Sequence, residues 1–160
     1  MEEKTVSYSR TVMSQVMMPG EANHLGNVHG GEIMKMMDNT AYVVARRHSR
    51  YNAVTARVDA LEFHHPVFVG ELVICKAQLV FVGRSSMEIK VEVEVDDLKS
   101  DLPPKPAISA YFTMVAIDEN CKPGEVPRLI TENPAEKLAF EEGKKRYDKY
   151  KRKRQEAKTR

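Results

Sequence analysis

The chain has 160 residues, 42% of them apolar, enough for one domain with a real core. A formal net charge of +2 implies no polyanion partner overall, although Lys and Arg dominate residues 144–160. Two cysteines, Cys75 and Cys121, form neither a metal spacing nor a disulfide framework, which points to a reducing, cytoplasmic compartment. The opening Met1-Glu-Glu-Lys4 has no apolar leader, and no run of about 18 apolar residues exists to span a membrane.

Residues 5–13 read as a first strand carried by Val6, Tyr8 and Val12. Pro19-Gly20 signals a turn and opens a polar loop, Asn23-His-Leu-Gly-Asn-Val-His-Gly-Gly31. A long apolar helix follows, to about Arg47. Ile33, Met34, Met36, Met37, Ala41, Val44 and Ala45 recur at three- and four-residue steps. At about 1.5 Å per residue it spans roughly 25 Å, and with few central charges it should be buried along most of its length. Asp38 sits inside it, and a carboxylate there needs a partner or chemistry to do. Arg46-Arg47-His48 place cations near the helix C-terminus, where they suit its dipole.

Residues 53–65 read as a strand with Val54, Ala56, Val58 and Ala60 sharing one face. The apolar parity then switches to Leu61 and Phe63, which predicts a bulge or strong bend. Val73, Cys75, Ala77, Leu79 and Phe81 alternate, and a turn follows at Gly83-Arg84-Ser85-Ser86. Met87, Ile89, Val91, Val93 and Val95 alternate against Glu88, Lys90, Glu92 and Glu94, so one face of that strand is buried and one solvated. A proline-bearing loop over 97–106 precedes a last strand through Ile108, Ala110, Phe112, Met114 and Ala116. Residues 135–160 form a charged, helix-prone tail in which Leu138 and Phe140 are the docking candidates and little else can be buried. Its Lys144-Lys145-Arg146 and 151–154 runs read as a solvated helix. Strand, loop, helix and four serial strands do not make a doubly wound sheet. An α+β domain with an antiparallel sheet wrapped around one helix buries both apolar surfaces.

The stretch Asn23-xx-Gly26-Asn-Val-His29-Gly-Gly31, with Asp38 seven residues on, carries a resemblance together with two later motifs. These are Val54-Thr55-Ala-Arg57-Val-Asp59 and Phe63-His64-x-Pro66-Val-xx-Gly70. Together they resemble the hotdog-fold acyl-CoA thioesterases, most closely the single-domain bacterial cytosolic type. The likeness runs from about Val6 to Ile117, leaving the tail to composition. It implies a hotdog domain over residues 1–122 followed by a charged helical extension over 123–160. It also implies hydrolysis of acyl-CoA to free fatty acid and coenzyme A.

Thioester hydrolysis needs a polarised carbonyl, a positioned water or nucleophile, and a carboxylate to activate it. By the resemblance, Asp38 is the general base or, as an alternative, the attacking carboxylate. Asn23 orients water or carbonyl, and the backbone N–H at Gly31 receives the oxyanion at the positive end of the helix. His29 and Gly30 border the ligand, and Arg57, Arg84, Ser85, Ser86 and Lys90 are candidates for the coenzyme A phosphates. Each has a plainer reading: Asp38 bonded to Asn39, Thr40 or a strand, Asn23 as a turn residue, His29 as packing, and the cations as solvated surface.

Gly31 and Asp38 lie two helical turns apart, roughly 10 Å along the axis, which is long for one compact site. A dimer with shared sites closes that gap, and the family implies a trimer of dimers, a hexamer. No required cofactor and no metal are expected, because His64 and His65 alternate on a strand and His24 and His29 lack a companion motif. No Gly-x-Ser-x-Gly elbow is present. Nucleic acid is not an expected partner, since only Tyr147 and Tyr150 interleave the basic tail. The alternative reading is a non-enzymatic acyl-CoA sensor on the same fold, which would not need Asp38 and Asn23 together. A sensor would also call for an attached DNA-binding segment, for which no spare N-terminal region is expected.

Overall fold

The computed structural model describes residues 2–160; Met1, part of the opening read for a leader, lies outside them. In chain order the elements are β1 (Glu3–Thr5), α1 (Val6–Ser9), β2 (Thr11–Val16), a 3₁₀ turn (Pro19–Glu21) and α2 (Gly30–Ser49). Then come β3 (Asn52–Phe63), β4 (Leu72–Val82), β5 (Ser86–Asp96), β6 (Lys105–Ile117), β7 (Arg128–Ile130) and α3 (Pro134–Lys158). The sheet is antiparallel with strand order β2-β4-β5-β6-β3, and β1 and β7 form a separate parallel pair.

Period-two alternation builds the inner face. Val73, Cys75, Ala77 and Leu79 of β4 are buried, as are Met87, Ile89, Val91, Val93 and Val95 of β5. Ile108, Ala110, Phe112, Met114 and Ala116 of β6 complete that face. The stripe Ile33, Met36, Met37, Ala41, Val44 and Ala45 of α2 joins it in one core, each large side chain contributing about 1.5–3 kcal/mol. This is the sheet wrapped on a helix that the alternation predicts. Met34 is only half-buried, and Glu32, Lys35, Asn39 and Tyr42 form an exposed stripe, so α2 is less covered than expected. The five strands close over only part of its circumference. α2 ends two residues beyond the expected Arg47, with Arg50 at φ +64° donating its N–H to the Arg46 carbonyl.

Three local expectations need correction. Residues 5–13 are not one strand. The Thr5 hydroxyl accepts from the Tyr8 N–H at 3.3 Å and caps one turn of helix, so β2 begins only at Thr11. In β3 the parity breaks twice. The register shifts between Asp59 and Glu62, with Ala60 at φ +52°, which is the bend expected near Leu61. It also shifts between Thr55 and Arg57, so Val54 pairs with Val115 and Val58 with Phe112, on opposite faces rather than one. β3 stops at Phe63, which leaves His64 and His65 beyond the strand, both exposed.

The tail corrects the third. α3 lies along the outer face of the sheet, capped by Asn133, whose side chain accepts from the Glu136 N–H. Phe140 and Tyr147 pack on Phe81 at centroid distances of 5.0 and 5.2 Å, while Leu138 stays exposed. Gly143 is buried where a Cβ would lie 2.7 Å from the Phe81 Cβ, so the helix sits against β4 at a distance only glycine permits. Arg146 donates through Nε and Nη2 to Glu88, whose side chain is 6% exposed. Glu88 is thus drawn out of the solvated set in which the alternation placed it.

Candidate active site

The loop before α2 is built by its own polar groups. The Asn23 Oδ1 accepts from the N–H of Leu25 at 2.9 Å and of Asn27 at 3.2 Å, and Gly26 turns the chain at φ +85°. The Val28 N–H donates to the Val67 carbonyl and the His29 N–H to the Glu21 carbonyl, which ties both flanks of the loop down. Asn23 therefore spends its oxygen on the turn, as its plainer reading expected, and keeps its side-chain NH₂ for other work.

His29 stands at the N-cap with its side chain exposed and not capping, so it is not a packing residue. Its carbonyl accepts from the N–H groups of Glu32 and Ile33, leaving those of Gly30 and Gly31 as the open donors of the first turn. A Cβ on Gly30 would meet the Phe63 ring at 3.2 Å, whereas one on Gly31 would meet nothing within 4 Å. Gly30 is needed for packing, and Gly31 presents open backbone at the positive end of a 20-residue helix.

Two turns later Asp38 is half-buried, and its Oδ1 accepts a 2.5 Å hydrogen bond from the Thr55 hydroxyl of β3. Neither helical neighbour is its partner, since the Thr40 hydroxyl donates to the Met36 carbonyl. Thr55 belongs to a motif quoted above but drew no role there. Its one signal was a hydroxyl residue on the strand parity opposite Val54 and Ala56. Pairing with Met114, it points toward α2.

The remaining candidates are dispersed. Arg57 lies on the outer face, its Nη2 donating to Thr113 and its guanidinium 3.5 Å from the Tyr150 ring centroid. Lys90, also outer, pairs with Glu92 at 2.9 Å. Arg84, Ser85 and Ser86 form the β4–β5 turn, at the end of the sheet nearest the C-terminus of α2. The chain thus brings together Asn23, His29, Gly30 and Gly31, and separately Asp38 with Thr55, but not the phosphate candidates. Five clefts on the single chain have linings free of Asn23, Gly31, Asp38 and Thr55. Among the described residues, no group of three or more His, Cys, Asp or Glu is placed to hold a metal.

The sequence profile of the thioesterase superfamily matches residues 25–100. A Zymomonas mobilis protein described as an uncharacterized acyl-CoA thioester hydrolase is 43% identical over 114 residues, 71% of this chain and 76% of its own. The acyl-CoA hydrolase of Staphylococcus aureus, solved with butyryl coenzyme A, coenzyme A and coenzyme A disulfide, matches at TM-score 0.87. It is 30% identical, over 98% of this chain and 95% of its own. The chain belongs to the hotdog-fold acyl-CoA thioesterase family.

Within that family, the mouse cytosolic acyl coenzyme A thioester hydrolase is 41% identical over 155 residues, 96% of this chain. This chain spans 41% of the length of that relative. The Staphylococcus aureus thioesterase has also been solved as separate alanine variants of an aspartate, an asparagine and a threonine. Another solved thioesterase is described as an apo hexamer and matches at TM-score 0.89, with 29% identity over 96% of this chain. These matches run through α3, so the likeness is not confined to the part ending near Ile117.

Proposed function

We propose that the protein is an acyl-CoA thioester hydrolase that releases a free fatty acid and coenzyme A. The observation that carries the assignment is a spacing. In the Staphylococcus aureus hydrolase the asparagine, aspartate and threonine chosen for alanine substitution follow one another at intervals of 15 and 17 residues. Asn23, Asp38 and Thr55 stand at the same intervals.

In this reading Asp38, held by Thr55, takes a proton from a water that adds to the thioester carbonyl carbon. The developing oxyanion is received by the Gly31 N–H at the helix N-terminus, with the Asn23 amide orienting water or carbonyl. Collapse breaks the C–S bond, and the coenzyme A thiolate leaves and takes up a proton. Coenzyme A enters as part of the substrate and leaves as product.

Gly31 and Asp38 of one chain are about 10 Å apart along α2, so the complete site calls for two copies. β3 supports this. It is an edge strand of 12 residues, with Val54 and Val58 47% and 36% exposed, and such an edge invites a second copy. An antiparallel docking across β3 would face the Asn23–Gly31 loop of one copy toward Asp38 of the other. His29 and Gly30 remain beside the ligand in this reading. Of the phosphate candidates, the exposed Arg84 with Ser85 and Ser86 stays open to it, whereas Arg57 and Lys90 are engaged on the outer face. A trimer of such dimers agrees with the hexameric relative. A cytoplasmic setting agrees with the cytosolic mouse relative and the two free cysteines.

The test is release of free thiol from acetyl-, hexanoyl- and palmitoyl-CoA by wild type, Asp38→Ala and Asn23→Ala. Wild-type turnover with a loss of about 100-fold or more in Asp38→Ala is the expected result. Mixing and reassembling the two variants should recover part of the activity if their sites are shared between copies. Tight acyl-CoA binding without turnover would instead identify a sensor.

A further inference from the structure

Between the two register shifts of β3, the outward side chains are Arg57 and Asp59, and one residue of α3 engages both. The Tyr150 ring lies over the Arg57 guanidinium at 3.5 Å, and its hydroxyl donates to the Asp59 Oδ2 at 2.6 Å. Arg57 needs that cover: among the described residues its buried Nε has no acceptor, and its one side-chain hydrogen bond runs from Nη2 to Thr113. Thr55, paired with Met114, faces inward to Asp38, and the adjacent bulge at Ala56 turns Arg57 outward. Within one chain β3 pairs only with β6, and a second copy docked along its other edge would hold the backbone ladder but not the outward side chains, which α3 engages.

We propose that Tyr150 is a positioning residue: from the outer face it clamps the segment of β3 between its bulges and so holds the Thr55 hydroxyl on Asp38. This rests on the hydrolase reading of Asp38 and adds to it a role for the C-terminal helix. It also gives Arg57 a function other than phosphate contact, since its guanidinium is the surface on which the clamp seats. Tyr150 touches neither substrate nor Asp38, and its effect passes entirely through the strand.

The test compares kcat and KM on acyl-CoA for wild type, Tyr150→Ala, Tyr150→Phe, Thr55→Ala and the Tyr150→Ala/Thr55→Ala double variant. Amide hydrogen exchange over residues 52–63 is followed in parallel. Tyr150→Ala should lower kcat roughly tenfold with KM little changed, because a small misplacement of an orienting group costs rate rather than binding. Tyr150→Phe keeps the ring over Arg57 and loses only the bond to Asp59, so it should fall between, and it tests the proposal if the alanine variant fails to fold. In the Thr55→Ala background, Tyr150→Ala should cost nothing further, whereas a general loss of structural support would add in full. An unchanged kcat, or the whole loss persisting without Thr55, overturns the proposal. A wild type without turnover overturns the hydrolase reading instead, and exchange then decides the clamp. Faster exchange confined to 52–63 in Tyr150→Ala supports it, and unaltered exchange removes it.

Discussion

The two long helices bury themselves on opposite faces of one sheet by different physics. α2 presents a continuous apolar stripe to the inner face and needs no single contact to hold it there. α3 has almost no stripe. It docks through one glycine at a close approach, two aromatic rings on Phe81, one buried ion pair and the Tyr150 clamp. A helix held by area degrades gradually under substitution, and a helix held by a few matched groups fails at each of them. The inner face carries the chemistry proposed for Asp38 and Thr55, and the outer face stiffens the strand that Thr55 belongs to.

That contrast can be broken most severely at Arg146. The Glu88 and Arg146 side chains are 6% and 23% exposed, and burial holds the Glu88 carboxyl above its usual value against the pull of Arg146. Arg146→Ala strands the carboxylate and should cost about 3 kcal/mol in urea or thermal unfolding. Adding Glu88→Leu should recover much of that loss, which a merely solvated pair would not show.

A smaller effect with a sharper sign comes from Gly143→Ala. On an exposed helix this change stabilises by about 1 kcal/mol. Here the new methyl meets the Phe81 Cβ at 2.7 Å, and overpacking of about 1–3 kcal/mol should turn the gain into a net loss. A higher melting temperature would mean that α3 does not sit as closely as described.

The smallest effect sharpens the inner side. His48, fully buried in the last turn of α2, has its Nε2 2.8 Å from the Pro127 carbonyl, and burial lowers its imidazole below the ordinary value of about 6.5. The unfolded chain takes up that proton first, so this stability is present above the ordinary value and is lost as pH falls below it. The melting temperature should drop between pH 7 and 5, and drop less in His48→Gln, which keeps a donor for Pro127 without titrating. Equal slopes would show that His48 does not contribute.

Legibility followed the same divide. The strands between Val73 and Ala116 and the body of α2 were readable because most positions repeat one environment, and the periodicity announces the face. Phe81, read on the face of Leu79, is the exception, carried to the outer face by the register shift between them. The Asn23–Gly31 loop and Asp38 were readable as a motif, with local chemistry explaining the glycines and the turn. Thr55 was not singled out, because a threonine in a strand is ordinary until the fold sets it against a carboxylate. Val54, Ala56, Val58 and Ala60 were placed on one face because alternation assumes an unbroken ladder, and the shift at Ala56 breaks it early. Gly143, Arg146 and Tyr150 looked like solvated tail because their partners, Phe81, Glu88, Arg57 and Asp59, are 58 to 93 residues away in sequence.

By itself the sequence determined the class of fold, the helix that fills it and the residues proposed for its chemistry, because hydrophobic period and backbone-permissive glycines are local properties. Only the tertiary structure decided which side of β3 each polar group faces, that Asp38 takes Thr55 as its partner, and that a highly charged helix closes the outer face. Those outcomes depend on register and on distant pairs, and a single matched contact leaves no periodic trace in the chain.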